Sequence, residues 1–207
     1  MRAVAVAHPN VALVKYWGKR ARAGNLPATG SLSLVLGGLA TETSVRFDPA
    51  LAGDRVLLDG HEEPETTGRV TACLDLLRRE AGITAGAIVE SRNDFPTGAG
   101  LASSASGFAA LVTAGAGALG LHLTSRRLAE IARLGSGSAP RSLLGGVVLL
   151  TNRDATTVCE QIAAPADWPL EIVVAVTATG PKATSSRVGM ELSERTSPYY
   201  DPWVQTH

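Results

Sequence analysis

Three short stretches of this chain concentrate the residues able to do chemistry. Phe95 to Val112 reads FPTGAGLASSASGFAALV, a glycine-rich loop with adjacent serines running into an alanine-rich helical pattern. A helix amino terminus leaves unpaired N–H groups and partial positive charge, and it binds phosphate when small residues let the backbone come close. Gly98 and Gly100 permit that approach, while Ser103 and Ser104 place hydroxyls at the first turn, where they can meet phosphate oxygens or a magnesium ion. The stretch lacks the Gly-Lys-Ser/Thr ending of a P-loop, and Ser103 stands where the dinucleotide fingerprint has its third glycine. On these residues alone it fits either a phosphate cradle or a capped, tightly packed helix.

The second stretch, NVALVKYWGKR from Asn10 to Arg20, sets two lysines and an arginine around Tyr16 and Trp17. It fits a solvated turn whose aromatics cover the core, or a cationic wall of a site. The third, GSGSAPRS, carries Arg141 among small residues. A lone arginine is ordinarily a surface charge, but this setting suits a guanidinium fork aimed at a carboxylate or phosphate.

The elements that must position these stretches alternate between strand and helix. AVAVAH opens the chain; SLSLVLGG places Leu32, Leu34 and Leu36 in half-buried alternation; TETSVRF (Thr41 to Phe47) and DRVLLDG (Asp54 to Gly60) continue as strands, predicting an antiparallel meander. Val70, Cys73, Leu74 and Leu77 then fall at helical spacing in a segment ending in Arg78 and Arg79, cations suited to a helix carboxyl end. GAIVES leads into the first loop, whose helix runs to about Leu119. A further helix follows, with Thr124 or Ser125 as cap and Leu128, Ile131 and Ala132 on one face. VVLLT and EIVVAVTA (Glu171 to Ala178) are predicted strands, and SSRVGMEL a short helix. The proline-rich AAPADWP, Ala163 to Pro169, marks a domain boundary, dividing the chain into 1–169 and 170–207. One strand and one helix do not make a domain, so 170–207 is expected to pair with more chain or with another subunit.

Composition excludes several function classes. The 207 residues are 45% hydrophobic and 18% charged, and 19 basic residues balance 19 acidic ones, so no overall field draws the chain to nucleic acid or an anionic membrane. No apolar run reaches membrane-span length and no leader pattern opens the chain, which predicts a cytoplasmic protein. Cys73 and Cys159 are read as buried thiols, and His8, His61, His122 and His207 have no ligand spacing.

Taken together, KYWGKR with NLPATGSLSL, NDFPTGAGLASSASGFAAL and GSGSAPRSLLGG resemble, in order and approximate spacing, the mevalonate diphosphate decarboxylase family. That family belongs to the galactokinase, homoserine kinase, mevalonate kinase and phosphomevalonate kinase superfamily. The tail SSRVGMELSERTSPYY is similar to the family's continuation. The resemblance implies an α+β fold: a ribosomal protein S5 domain 2-like amino-terminal domain over 1–169 and the start of a ferredoxin-like domain over 170–207. It implies ATP- and magnesium-dependent phosphorylation of the 3-hydroxyl of mevalonate 5-diphosphate, followed by loss of phosphate and carbon dioxide to give isopentenyl diphosphate.

Carried over residue by residue, the resemblance places Pro96, Gly98, Gly100, Leu101, Ser103 and Ser104 in the ATP phosphate loop, with Ser104 as the magnesium contact. Lys15 neutralises charge near the reacting hydroxyl; Asn10, Tyr16 and Trp17 line the substrate pocket; Ser136, Ser138 and Arg141 grip diphosphate and carboxylate. Lys15, Ser104 and Arg141 are thereby the catalytic candidates. The chain departs from the family in PTGAG for the common PTAAG, in Pro140, and in ARAG after Arg20. It also lacks the DAGPN-like motif whose aspartate is the family's base, and Asp94, Asp154 and Asp167 do not match it. The expectation is a fragment, a short protein that draws its second half from another chain, or an inactive relative, with either a homodimer or association with a chain completing the carboxyl-terminal domain as its assembly. The rival readings are a mevalonate or phosphomevalonate kinase without decarboxylation and a non-catalytic nucleotide-binding subunit.

Overall fold

The computed structural model describes residues 1–20, 24–96, 101–153, 156–175 and 184–206. Its elements are β1 (Arg2–Ala7), β2 (Asn10–Val14), β3 (Ser31–Val35), β4 (Thr41–Asp48), β5 (Arg55–Leu58), β6 (His61–Glu62), α1 (Pro64–Ala81), β7 (Gly86–Asn93), α2 (Ser103–Ala118), α3 (Ser125–Gly135), a 3₁₀ turn (Ala139–Leu143), β8 (Val147–Arg153), β9 (Thr156–Ala163), α4 (Ser186–Thr196) and α5 (Tyr200–Thr206). The fold is α+β with two sheets, one ordered β1-β4-β7-β5-β6 and the other β2-β3-β8-β9.

The expected antiparallel meander does not form. β3 lies in the second sheet between β2 and β8, and β4 pairs instead with β1 and β7, from Thr41↔Asn93 to Asp48↔Gly86. β5 joins the far side of β7 in parallel. A parallel neighbour needs a crossover, and α1 supplies it between β5 and β7. Alternation along the chain does not show which strand lies beside which; for β5 and β7 that choice goes with the α1 crossover.

α1 and α3 follow their spacing. Val70, Cys73, Leu74 and Leu77 are buried on α1, and the Thr124 hydroxyl caps α3 by accepting from the Arg127 N–H. Leu74, Leu77, Leu111, Val112 and Ile131 meet Val45 and Phe47 of β4 in one core. The alanines and glycines of α2 let it lie close across β1 and β4. Gly135, at the end of α3, has the Phe108 ring of α2 in the space a Cβ would need, so only glycine brings the 135–138 turn this near α2.

Four other sequence readings change. Asn10–Val14 and Thr156–Ala163 are strands, unanticipated because they are edge strands with mixed polar content. β3 buries Ser31 and Ser33 together with Leu34, while Leu32 is only half-buried. Cys159 is half-buried rather than buried, and burial pushes its thiol, like that of Cys73, up to about 12. Residues 171–175 of the predicted strand lie outside any strand, with Ile172, Val173 and Val174 exposed, and 176–178 lie outside the described residues. A strand forms only where a neighbour takes its backbone hydrogen bonds, and none of the described strands lies beside it.

Arg78 does not point outward from the helix end. It pairs with Asp54, and with Asp75 at 2.7 Å, donates to the Ala85 carbonyl at 2.8 Å and lies over the Phe47 ring. Asp54 also accepts from the Ala87 N–H at 2.9 Å and the Thr71 hydroxyl at 2.8 Å, which ties α1 to the starts of β5 and β7. Both partners of the Arg78–Asp54 pair are nearly shut off from water, so removing the carboxylate leaves a buried cation with half its hydrogen bonds. Asp54→Ala is therefore expected to lower stability by about 3–5 kcal/mol in urea unfolding, against less than about 1 kcal/mol for removing the exposed Arg55–Glu62 pair by Glu62→Ala.

Candidate active site

The three chemical stretches meet. The chain of hydroxyls begins at α2, where the Ser104 Oγ lies 3.2 Å from the Ser136 Oγ, which lies 3.1 Å from the Ser138 Oγ. Asn10 of β2 extends it, its amide donating to the Ser138 carbonyl at 3.3 Å and the Ser142 Oγ at 2.8 Å. Arg141, on the 3₁₀ turn, donates to the Ser31 Oγ at 2.5 Å and stacks over the Tyr16 ring at 5.6 Å. The Tyr16 hydroxyl lies 2.6 Å from where a Cβ at Gly137 would sit, so the aromatic stretch and the 136–138 turn are in direct contact. The buried serines of β3 thus have a role that their leucine neighbours concealed: Ser31 is the floor on which the guanidinium rests.

Electrostatically the site is positive and under-neutralised. Arg141 is 4% exposed, and among the described residues no carboxylate pairs with it. Its Nε and the Asn10 Oδ1 are buried without a hydrogen-bond partner. Burial lowers the Arg141 pKa and raises that of Tyr16, whose phenol the guanidinium partly restores. Lys15 lies over the Trp17 ring at 5.0 Å. Lys19 has a lowered pKa from burial and from the nearby Arg187 cation, opposed by Glu191, with Arg69 lowering it further. Sequence reading singled out neither Arg69 nor Arg187; nothing in their local pattern marks them, and only the packing of α1 and α4 brings them to Lys19.

Beside this cluster lies a cavity of about 230 Å³ lined by Val56, Leu58, Glu63, Arg69, Ser103 and Ser104, among others. Its walls come from β5, α1, β7 and α2, which is why no single motif announces it. No side chain caps α2, and its N-cap residue Ala102 is left-handed at φ 50°, a conformation that costs an alanine energy. Ser104 is exposed, Ser103 and Leu101 half-buried and Pro96 exposed, while Gly98 and Gly100 lie outside the described residues.

Among the described residues no group of three or more His, Cys, Asp or Glu converges on a metal position. Ser104, exposed in the first turn of α2, offers a hydroxyl oxygen of the kind magnesium takes as a ligand. Asp94 accepts from the Ala40 N–H at 2.7 Å beside the paired ends of β4 and β7, and Asp167 accepts from the Ala164 N–H at 2.9 Å within a turn; Asp154 lies outside the described residues. No described helix is long and apolar enough to cross a membrane.

This geometry defines an α+β domain with a serine- and cation-lined cleft at a helix amino terminus. Residues 7–160 match the diphosphomevalonate decarboxylase-like N-terminal domain, and the chain belongs to that family. It is 39% identical over 219 residues to diphosphomevalonate decarboxylase of Ganoderma lucidum, covering 95% of this chain and 54% of that protein. A solved structure of "MDDEF in complex with MVAPP, AMPPCP and Magnesium" superposes with a TM-score of 0.84 at 42% identity, over 99% of this chain and 64% of that one. The mevalonate diphosphate decarboxylase from Enterococcus faecalis, in a study of mevalonate diphosphate mediated ATP binding, superposes with a TM-score of 0.82 at 41% identity over 99% and 63%. The chain spans about half the length of the G. lucidum relative.

An unpaired buried guanidinium predicts stabilisation by a polyvalent anion. Saturating inorganic diphosphate, at about a hundred times its Kd, should add about 2.7 kcal/mol of stability and raise Tm by several degrees. Arg141→Ala should remove most of that shift. Because only protonated Lys19 attracts the anion and its pKa is lowered, diphosphate affinity should fall as pH rises through a range below that of an ordinary lysine. In Lys19→Arg that alkaline loss should disappear, which titration calorimetry at stepped pH would show.

Proposed function

We propose that this chain carries the nucleotide- and substrate-binding half of an ATP-dependent mevalonate 5-diphosphate decarboxylase, which makes isopentenyl diphosphate. The observation that carries the reading is the buried, carboxylate-free Arg141, which rests on Ser31 and the Tyr16 ring beside the turn whose Ser136 and Ser138 continue the hydroxyl chain from Ser104. A planar guanidinium with open donors suits a substrate carboxylate, which it can hold by a two-pronged hydrogen bond. The relatives' names and bound molecules supply the identity of the substrate, mevalonate diphosphate, and of the nucleotide.

In this reading the cleft holds two anions side by side. Ser103 and Ser104, with the uncapped amides of α2, receive the nucleotide phosphates, together with the 96–101 loop. Lys19, Arg69 and Arg187 supply positive charge for the polyphosphates, while Asn10, Tyr16, Ser136 and Ser138 shape the pocket around the 3-hydroxy acid. Magnesium at Ser104 would bridge and neutralise phosphate oxygens. Lys15 offsets charge as the γ-phosphoryl group passes to the 3-hydroxyl oxygen and ADP leaves. Phosphate then departs with the C3–O bond electrons, and the carboxylate C–C electrons fill the tertiary centre as carbon dioxide is released. Arg141 holds that carboxylate in line without having to give up a proton. Positioning and charge neutralisation do the catalysis, with no covalent intermediate.

This reading assigns the base for the 3-hydroxyl to chain beyond these residues, on the same polypeptide or in a partner that completes the carboxyl-terminal domain. Residues 170–207, the beginning of a ferredoxin-like domain beside the ribosomal protein S5 domain 2-like unit over 1–169, would receive it. The exposed Trp168, Leu170, Ile172, Val173 and Val174 support such pairing. The cytoplasm is the compartment where this chemistry is expected.

The test supplies ATP, magnesium and mevalonate 5-diphosphate and measures ADP and carbon dioxide together. Binding of both ligands by calorimetry, and equal amounts of ADP and carbon dioxide whenever turnover occurs, are the expected results. ADP with a stable phosphorylated product and no carbon dioxide would instead make it a kinase. In Arg141→Lys, mevalonate 5-diphosphate should bind at least tenfold more weakly, since a point charge cannot replace the fork.

A further inference from the structure

We infer that Tyr200 of α5 is a positioning residue, which fixes the 15–20 segment of the site by filling the space directly against Gly18. The inference rests on the proposed function for its effect on substrate, while its structural part stands by itself. Tyr200 is 8% exposed although its neighbour Tyr199 is 79% exposed, so it anchors α5 as the buried Met190 anchors α4. Gly18 has φ +121°, and a Cβ there would overlap the Tyr200 hydroxyl and ring. The two positions are therefore matched: the backbone turn needs glycine, and the glycine admits the tyrosine.

The contact is one of two between α4–α5 and consecutive residues of the segment. Gly189 of α4 faces the Trp17 ring, 3.6 Å from where its Cβ would be. Arg187 and Glu191 of α4, with Arg69 of α1, also act electrostatically on the next residue, Lys19. Among the described residues two backbone bonds hold the segment to residues 26–28, Ala28 N–H to the Gly18 carbonyl at 3.0 Å and Arg20 N–H to the Leu26 carbonyl at 2.9 Å, and together they make the isolated bridge between Lys19 and Pro27. A ladder that short is marginal without packing from outside. Tyr200 provides that packing at the one residue that links Tyr16 and Trp17, on which Arg141 and Lys15 stack, to Lys19.

Amide hydrogen exchange on the full chain tests this without any ligand. In Tyr200→Ala, exchange at Arg20 and Ala28 should rise at least tenfold while β4, β7 and α2 keep their rates; Tyr200→Phe, which keeps the ring, should stay close to wild type. Unchanged exchange at Arg20 and Ala28, or a rise in step with the core strands, would overturn the inference. Gly18→Ala should give the same local loosening, and combined with Tyr200→Ala its effect should be less than the sum of the two. With mevalonate 5-diphosphate as probe, Tyr200→Ala should raise Kd at least fivefold and Tyr200→Phe should not. If wild type fails to bind that ligand, the proposed function falls and the exchange result still decides the role of Tyr200.

Discussion

Arg141 is buried with no carboxylate among the described residues to balance it, and much of the surrounding structure can be understood from that condition. An ion removed from water without a partner is costly, so its neighbours must supply what water would have supplied. Here a serine hydroxyl from β3 and the face of the Tyr16 ring do so, leaving the Nε unsatisfied. That contrasts with Arg78, equally buried but saturated by Asp54, Asp75 and the Ala85 carbonyl. Of these two buried arginines, one is closed and holds α1 to the sheet; the other has donors left over and sits where three loops meet.

Holding such a group in place depends on close approach, and the chain achieves this with residues that have little or no side chain. Gly135 lets Phe108 press the serine turn toward α2, and Gly18 admits Tyr200 beneath the aromatic stretch. The alanine-rich α2 lies close to β1 and β4 and so carries Ser104 to within hydrogen-bond distance of Ser136. Bulk is reserved for the core behind, where Phe47, Leu74, Leu77 and Ile131 interlock, and that rigid base keeps the loops from relaxing around the unpaired cation. Cation placement follows from such packing too: Arg69 and Arg187 act on Lys19 while each is held by its own partners, Arg69 by the Gly135 carbonyl and the Phe108 ring and Arg187 by Glu191.

Much of this was legible in the chain. The spacing of Val70, Cys73, Leu74 and Leu77, the Thr124 cap, and the glycine- and serine-rich stretches are local patterns, and local patterns survive folding because they arise from the 3.6-residue turn and from orphan N–H groups. Asn10, Tyr16, Ser104, Ser136, Ser138 and Arg141 could be nominated from three short segments and the family they resemble. The turn of Arg78 inward, the burial of Ser31 and the cavity between α1 and α2 could not, since each depends on partners dozens of residues away.

By itself, then, the sequence determined helices α1 and α3 with their inward faces, the serine- and glycine-rich turns and the residue types available for anion chemistry, since these depend on neighbours a few positions apart. Tertiary structure decided that β5 would cross over to lie parallel to β7, that Arg141 would be left without a counter-charge, and that Tyr200 would settle against Gly18. Those outcomes are set by which surfaces exclude water together, and segments far apart in the chain acquire that relation only when the chain is packed.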